Sequence, residues 1–375
     1  MLYTNKRLQK TNRYKTYNAL LNKCYKTSIE KEKKQQNFYK RISFANLKTG
    51  ESYQITHSFE KYYKKYTKSI EQKIYTIEAL ARKKALVPVF MTLTLPSEFH
   101  PFKSIEYKNN RLYTNPNPDF MFEDIETAIQ TGYEYLNRAY RAFYKRVKNK
   151  LSNLMYIKVV EAHKTMIPHF HILFFIPKEE NRILRKEFVK IVNEFELNQS
   201  DFSQMNESTE NKNDSSYNTR INRAAKYVMK YITKNLKNSA DIFYARVLDG
   251  WKRIFKIRMI TTSNLPLTLA EYRTIYYALD SEIKESLLKE AREKNINLFY
   301  LILESLAKIT TLKHNMVTTL KRYRSLLYNR FVIFKTVIKR QTDRGGYSYI
   351  TSGFTFYIDR RIAYKKMCLL KIYNP

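Results

Sequence analysis

Three of the six histidines in this chain fall in one short segment, EAHKTMIPHFH, Glu161–His171. His169 and His171 stand one residue apart at the head of the apolar run HFHILFFI. Side chains two apart on a strand share a face, so both imidazoles project together while Phe170 and Ile172 project oppositely. Glu161 and His163 share a face in the same way. If KTMIP makes a tight connection, antiparallel pairing sets His163 opposite His169 and Glu161 opposite His171. Directly opposed side chains are about 4.5–5.5 Å apart at Cβ. One sheet face then carries three imidazoles and a carboxylate within reach of a single cation. The mixed nitrogen and oxygen set suits Mn²⁺, Mg²⁺ or Zn²⁺. The same residues also read, without a cation, as a polar sheet face of hydrogen-bonded histidines.

A second constellation lies in KYVMKYITKN, Lys226–Asn235. Tyr227 and Tyr231 are four apart, as are Lys226 and Lys230, and Lys234 continues the series. On a helix each pair shares one side. A phenol is a weak nucleophile at neutral pH because its pKa is near 10. Neighbouring ammonium groups favour the phenolate, and a metal makes a phosphorus centre easier to attack. The chain holds 32 tyrosines, so an i, i+4 tyrosine pair alone carries little weight.

The elements that must position these residues are legible around them. VPVFMTLTLP, Val87–Pro96, is short, rich in β-branched and aromatic residues and stopped by Pro96, which predicts a strand. Thr92 and Thr94 lie on one side of it, where they either touch a ligand or pack beneath the metal; the structural role is preferred. Ile125, Ile129, Tyr133, Leu136, Tyr140, Tyr144 and Val147 recur at three and four residues, an amphipathic helix. YIKVVEAH and HFHILFFI are two further strands, and EFVKIVNEFEL, from Glu187, is a helix over the sheet. Residues 198–216 are polar, aperiodic and acidic against a basic background, which predicts a loop or disordered insertion. RAAKYVMKYITKNL reads as helix. WKRIFKIRMI, from Trp251, reads as a basic strand, preferentially an edge strand protected by charge.

The bulk composition names the partner class. Of 375 residues, 69 are Lys or Arg and 34 Asp or Glu, a net charge of +35. A field of that sign points to a polyanion, DNA or RNA before an anionic membrane surface. Cys24 and Cys368 form neither a metal motif nor a disulfide scaffold. The opening residues lack the apolar core of a signal peptide, and no apolar run approaches the roughly 18 residues that span a bilayer. The expectation is a cytoplasmic protein without a stable membrane partner. Three regions are expected: a basic N-terminal extension (1–85), a central domain (86–240) holding the polar insertion, and a C-terminal α/β accessory region (241–375).

In that order, the strand FMTLTLP (Phe90–Pro96), the HFH strand and the two-tyrosine helix resemble the HUH endonuclease superfamily. More closely they are similar to rolling-circle replication initiators of the phage gene A type, over about Pro88 to Leu236. The resemblance implies an α+β fold: a central antiparallel sheet with packed helices, an RRM/ferredoxin-like palm, and mainly helical flanks. It implies that His169 and His171 bind a divalent cation, Mg²⁺ or Mn²⁺ first, with Glu161 or His163 as third ligand. Tyr227 and Tyr231 match the tyrosines that become joined to DNA. Lys230 matches the lysine three residues after a single nucleophilic tyrosine in other branches. Lys226, Lys234, Thr92 and Thr94 are the expected DNA contacts. The gene A type often has small, glycine-containing residues in the hairpin turn, where this chain has Lys164-Thr165-Met166-Ile167. The implied activity is nicking and rejoining of single-stranded origin DNA of a phage, plasmid or related element, in the host cytoplasm if phage-encoded. A host helicase and DNA polymerase would then be partners, since a Walker A sequence is absent. The alternatives are a relaxase or transposase with the same chemistry, a hydrolase acting through water, and a non-catalytic nucleic-acid-binding protein.

Overall fold

The computed structural model describes residues 6–45, 50–107, 111–204, 228–229, 242–279, 281–304, 306–313, 316–322, 331–341, 347–358, 361–363 and 371–373. In chain order its elements are α1 (Lys6–Gln9), α2 (Asn12–Lys40), β1 (Ser43–Ala45), β2 (Ser52–Tyr53), α3 (Phe59–Lys83) and β3 (Val87–Leu93). A 3₁₀ turn, Ser97–Phe99, then leads to β4 (Phe102–Tyr107), β5 (Arg111–Pro116), α4 (Ile125–Lys148), β6 (Met155–Ala162) and β7 (Pro168–Ile176). After these come α5 (Asn181–Glu194), β8 (Asp201–Gln204), α6 (Ile242–Ile254) and β9 (Ile260–Thr262). The last are α7 (Leu269–Ala278), α8 (Ser281–Glu293), α9 (Leu298–Glu304), β10 (Leu306–Lys313), β11 (Met316–Arg322), β12 (Phe331–Gln341), β13 (Tyr347–Ile358), β14 (Arg361–Ala363) and β15 (Lys371–Tyr373).

The chain divides into two compact units. The first takes in Met1–Phe38, His57–Thr67 and Leu80–Ser263. At its centre is a five-stranded sheet in the order β8-β3-β7-β6-β9, every neighbouring pair antiparallel. Phe170, Ile172 and Phe174 of β7 share one face with Val89, Met91 and Leu93 of β3. That face packs on α4, whose buried Ile129, Leu136, Phe143 and Val147 follow the helical period; the Phe143 and Phe174 rings lie 5.6 Å apart. Asp124 caps α4 by accepting the Thr127 N–H at 2.6 Å, and Lys145, Arg146 and Lys148 occupy its last turn, where cations suit the helix dipole. The opposite face carries Thr92, His169, His171 and Glu161.

The second unit takes in Tyr39–Thr56, Lys68–Ala79 and Asn264–Pro375. It holds a small antiparallel sheet, β15-β1-β2, and a five-stranded sheet, β11-β10-β12-β13-β14, in which only the β10–β12 pair is parallel. Thr268 and Glu271 form a reciprocal capping box that starts α7.

Four expectations are corrected. The β6–β7 register sets Glu161 opposite His169 and Val159 opposite His171, two residues from the pairing expected. The cause is the connection: Ala162 pairs with Pro168, so the loop runs from His163 to Ile167, one residue earlier than expected, and is closed by His163 N–H to Ile167 O, 2.9 Å, and Met166 N–H to His163 O, 2.8 Å. Met166 takes the left-handed turn that glycine would usually supply, φ 70°. Within the polar insertion, Asp201–Gln204 is not loop but edge strand, paired with Val89–Thr92 of β3. It draws its order from β3's hydrogen bonds, which polar composition cannot signal. Trp251 lies in α6, not in a strand, and only Ile260–Thr262 beyond it forms an edge strand of the sheet. The N-terminal flank is mainly helical, with only the short β1 and β2 between its helices among the described residues, but five strands occupy Leu306–Ala363, where the β-branched runs LAKITTLK and FVIFKTVIKR favour extended backbone.

Candidate metal centre

The C-terminal end of β3 and the β6–β7 loop meet at one mouth of the sheet. From Leu93 the chain runs through Pro96 and the Ser97–Phe99 turn to His100, which closes that turn by donating its N–H to Ser97 O at 2.9 Å. Asn117 fastens the turn through its side-chain amide to the carbonyls of Ser97, 2.7 Å, and His100, 2.8 Å. His100 thereby lands beside His163 and His169. The His163 and His169 rings stack at 4.9 Å and 14°, and His100 stands edge-on to both at 5.7 Å. One potential ligand atom from each of the three lies within 4.8 Å of the others, close enough for one cation to bridge after small ring rotations.

Supports for this cluster come from residues with no metal-ligand signature. Thr165 is buried, with its hydroxyl 3.3 Å from His163 Nδ1 and 3.5 Å from His100 Nδ1. The loop that carries His163 and Thr165 is held by two outside donors. Tyr17 of α2 gives its phenol to the Lys164 carbonyl at 2.9 Å, and the buried Trp251 indole gives its N–H to the Met166 carbonyl at 3.1 Å. A cavity of about 450 Å³ opens on the cluster, and Thr94, Lys103 and Lys164 also line it.

Burial keeps the rings of His100 and His169 neutral, the form that ligates metal. Burial, and then the neighbouring His163, pull His100 down to about 4. Burial pulls His169 well below the usual histidine value, helped by His163, His100 and His171. His169 Nε2 is buried and has no hydrogen-bond partner. A buried polar atom left so is uncommon, and a cation is one group that would satisfy it. The residues present therefore fit a divalent metal.

The other two expected ligands pair with each other. His171 Nε2 lies 2.7 Å from Glu161 Oε2, and His171 Nδ1 lies 3.4 Å from Thr92 Oγ1. The Thr94 N–H donates to Ser200 Oγ at 3.0 Å. Of the six expected metal and β3 residues, the structure thus brings His163 and His169 into the cluster, joins Thr92, His171 and Glu161 into a hydrogen-bonded row beside it, and places Thr94 on the cavity wall. Tyr227, Tyr231, Lys226, Lys230 and Lys234 lie outside the described residues; Val228 and Met229, within the same segment, are helical and buried. His100 and Thr165 were missed by sequence reasoning. The one available signal for His100 was its position just beyond a strand that leads to the HFH pair.

Residues 9–239, more than half of the chain, match the family of the bacteriophage replication gene A protein (GPA). A probable replication endonuclease from prophage-like region 1 of Salmonella typhi is 25% identical over 160 residues, which is 43% of this chain and 18% of that protein. The chain thus spans under a fifth of the length of that curated relative. No solved structure matches it. Among the described residues no helix is long and apolar enough to cross a membrane.

Proposed function

Because the chain belongs to the bacteriophage replication gene A protein family, we propose that it initiates rolling-circle replication by nicking and rejoining single-stranded origin DNA. The observation that carries this reading is the trio His100, His163 and His169 at the sheet's mouth, with His169 Nε2 buried and unpartnered. The antiparallel sheet serves as the HUH-type palm, within an endonuclease domain of residues 86–240, and the regions on either side are accessory. His169, His163, His171 and Glu161 form the cation-binding neighbourhood, with Mg²⁺ or Mn²⁺ the ions that the resemblance implies. A divalent cation bound there supplies Lewis-acid polarisation of a phosphodiester.

The remaining steps belong to the chain's own groups. Lys103, Lys164 and the overall positive charge hold the phosphate backbone over the cavity. Tyr227, flanked by Lys226 and Lys230, attacks phosphorus through its phenolic oxygen. The bond to the 3′ oxygen breaks, that oxygen takes a proton, and a 5′-phosphotyrosine forms. Tyr231 repeats the attack after a round of copying, closing one circle and reopening another. The phosphoester energy is retained, so rejoining needs no ATP. Lys234, Thr92 and Thr94 are assigned to DNA contact, Thr92 through the row it forms with His171.

The test is a denaturing gel. Origin-containing single-stranded DNA, incubated with protein and Mn²⁺ or Mg²⁺, is expected to form a covalent adduct that chelator prevents. Tyr227→Phe and Tyr231→Phe should each reduce it, and the double replacement should abolish it. An adduct surviving in the double variant rules out the tyrosine assignment; cleavage without any adduct indicates attack by water.

A further inference from the structure

A second cavity, of about 590 Å³, lies in the same unit, between the start of α2 and the chain that runs from β5 into α4. Asn117 links it to the cavity at the histidines. It lines the second cavity, while its side-chain amide holds the carbonyls of Ser97 and His100, which line the first. The walls offer faces for a planar ring. Phe120 is half-buried, the Arg13 guanidinium lies over it at 4.9 Å from the ring centroid, and Pro116, Pro118 and Ile125 complete the apolar lining. Unpaired bases stack on aromatic rings and on guanidinium planes.

Charge decides what part of a nucleotide fits. The chain carries +35, yet this cavity is lined by two carboxylates, Glu123 and Asp124, and by a single cation. That cation is committed, since Arg13 Nη1 donates to the Asn117 carbonyl at 2.5 Å. The two helix ends at the cavity are capped from within: Asp124 accepts the Thr127 N–H at 2.6 Å, and Thr11 Oγ1 accepts the Tyr14 N–H at 3.3 Å. A phosphate placed here would meet like charge, whereas a ring carrying N–H donors would meet acceptors. Two edge groups are left over. Among the described residues, the exposed Asn12 amide and the exposed Glu123 carboxylate make no hydrogen bond or ion pair.

We propose that this cavity takes an unpaired cytosine or adenine base of the single-stranded substrate, stacked against Phe120 and Arg13, with Glu123 accepting from the exocyclic amino group and Asn12 donating to the adjacent ring nitrogen. Cytosine and adenine present an amino group beside a bare ring nitrogen. Guanine and thymine present an oxo group beside a ring N–H, the reverse order. The inference rests on the reading above that the substrate is single-stranded DNA, and it gives that substrate a base-selecting site apart from the reacting groups.

Fluorescence anisotropy of the full chain with labelled oligodeoxycytidine and oligodeoxyuridine of equal length tests this without reference to cleavage. At slightly alkaline pH both bases are neutral, and the probes differ only on the base edge. Their backbone charge is the same, so the phosphate contribution cancels in the ratio of affinities. Wild type should bind the cytosine probe about 5- to 100-fold more tightly, the range of one well-made base contact. Glu123→Ala and Asn12→Ala should each reduce that ratio, and the double replacement should bring it to one, even though loss of a carboxylate tightens both probes. Phe120→Leu should weaken both probes alike, because it removes the stacking face. Equal binding of the two probes by wild type overturns the proposal, as does a cytosine preference that survives the double replacement. Failure here separates from failure of the proposed function. A tyrosyl adduct with no cytosine preference defeats the base site alone, and a preference abolished by the double replacement with no adduct defeats the nicking function alone.

Discussion

Burying the rings of His100 and His169 at the mouth of a sheet ties the stability of this unit to pH. His100 sits near 4 and His169 well below its ordinary value, both chiefly because burial disfavours the charged ring. In the unfolded chain each titrates near 6.5. Between those values the unfolded state takes up protons that the folded state refuses, so stability falls as pH drops from about 6.5 towards 4 and is complete above it. The melting temperature is therefore expected to fall between pH 7 and pH 5, and His100→Asn should flatten that slope. A slope unchanged in the variant would show that His100 is not the proton acceptor. Saturating Co²⁺ should raise the melting temperature at pH 7 and less so at pH 5, because ligand nitrogens must be deprotonated. At this scale the sequence was legible where strand alternation applies. His169 and His171 share a face as their spacing requires. His100 was not legible, because its approach depends on a 3₁₀ turn and on Asn117 bonds that no periodicity encodes. His163 was placed opposite His169, whereas the ladder ends at Ala162 and Pro168 and leaves His163 in a loop that turns at a left-handed methionine.

Elements remote in sequence fix the loop that carries His163. Helix α6 approaches α2 so closely that a Cβ on Gly250 would lie 1.8 Å from the Cys24 carbonyl oxygen, a clash with backbone that no rotamer relieves. That contact sets the height of the next residue, Trp251, whose indole holds the Met166 carbonyl. Gly250→Ala must separate the two helices and is expected to destabilise by about 1–3 kcal/mol or more. Trp251→Phe keeps most of the apolar bulk but leaves a buried carbonyl without its donor, a cost of about 1–3 kcal/mol. Both variants should also weaken Co²⁺ binding, since they loosen the His163 loop. Chemical denaturation and titration on the same samples check this, and a destabilised Trp251→Phe with wild-type affinity would disconnect the helix from the site. Strands β3, β6 and β7 and helix α4 were readable from apolar patterning because each buries one face. The segment from Trp251 misled because it straddles the end of α6 and the start of an extended stretch, with Lys256 in the left-handed region between them. Strand β8 gave no signal because its order comes from β3.

For the whole molecule, charge was the most legible property and the division into units the least. A net charge of +35 is a plain count, whereas each unit is assembled from three separated segments, which composition along the chain does not mark. The charge makes a quantitative demand on binding. Each phosphate neutralised by a lysine or arginine releases condensed counterion, so the logarithm of the binding constant falls linearly with the logarithm of salt, by about 0.7 per contact on single strands. If Lys226, Lys230 and Lys234 line the DNA beside the reacting tyrosines, replacing all three by alanine removes three such contacts, and the slope should become shallower by about 2. His169→Ala should leave the slope unchanged, because it removes no fixed charge. Fluorescence anisotropy with a labelled single-stranded oligonucleotide, across a range of NaCl concentrations, measures both. A triple variant that keeps the wild-type slope would place the lysine series away from the phosphates. The tyrosines between those lysines would then have no claim to the scissile bond, whatever the metal centre holds.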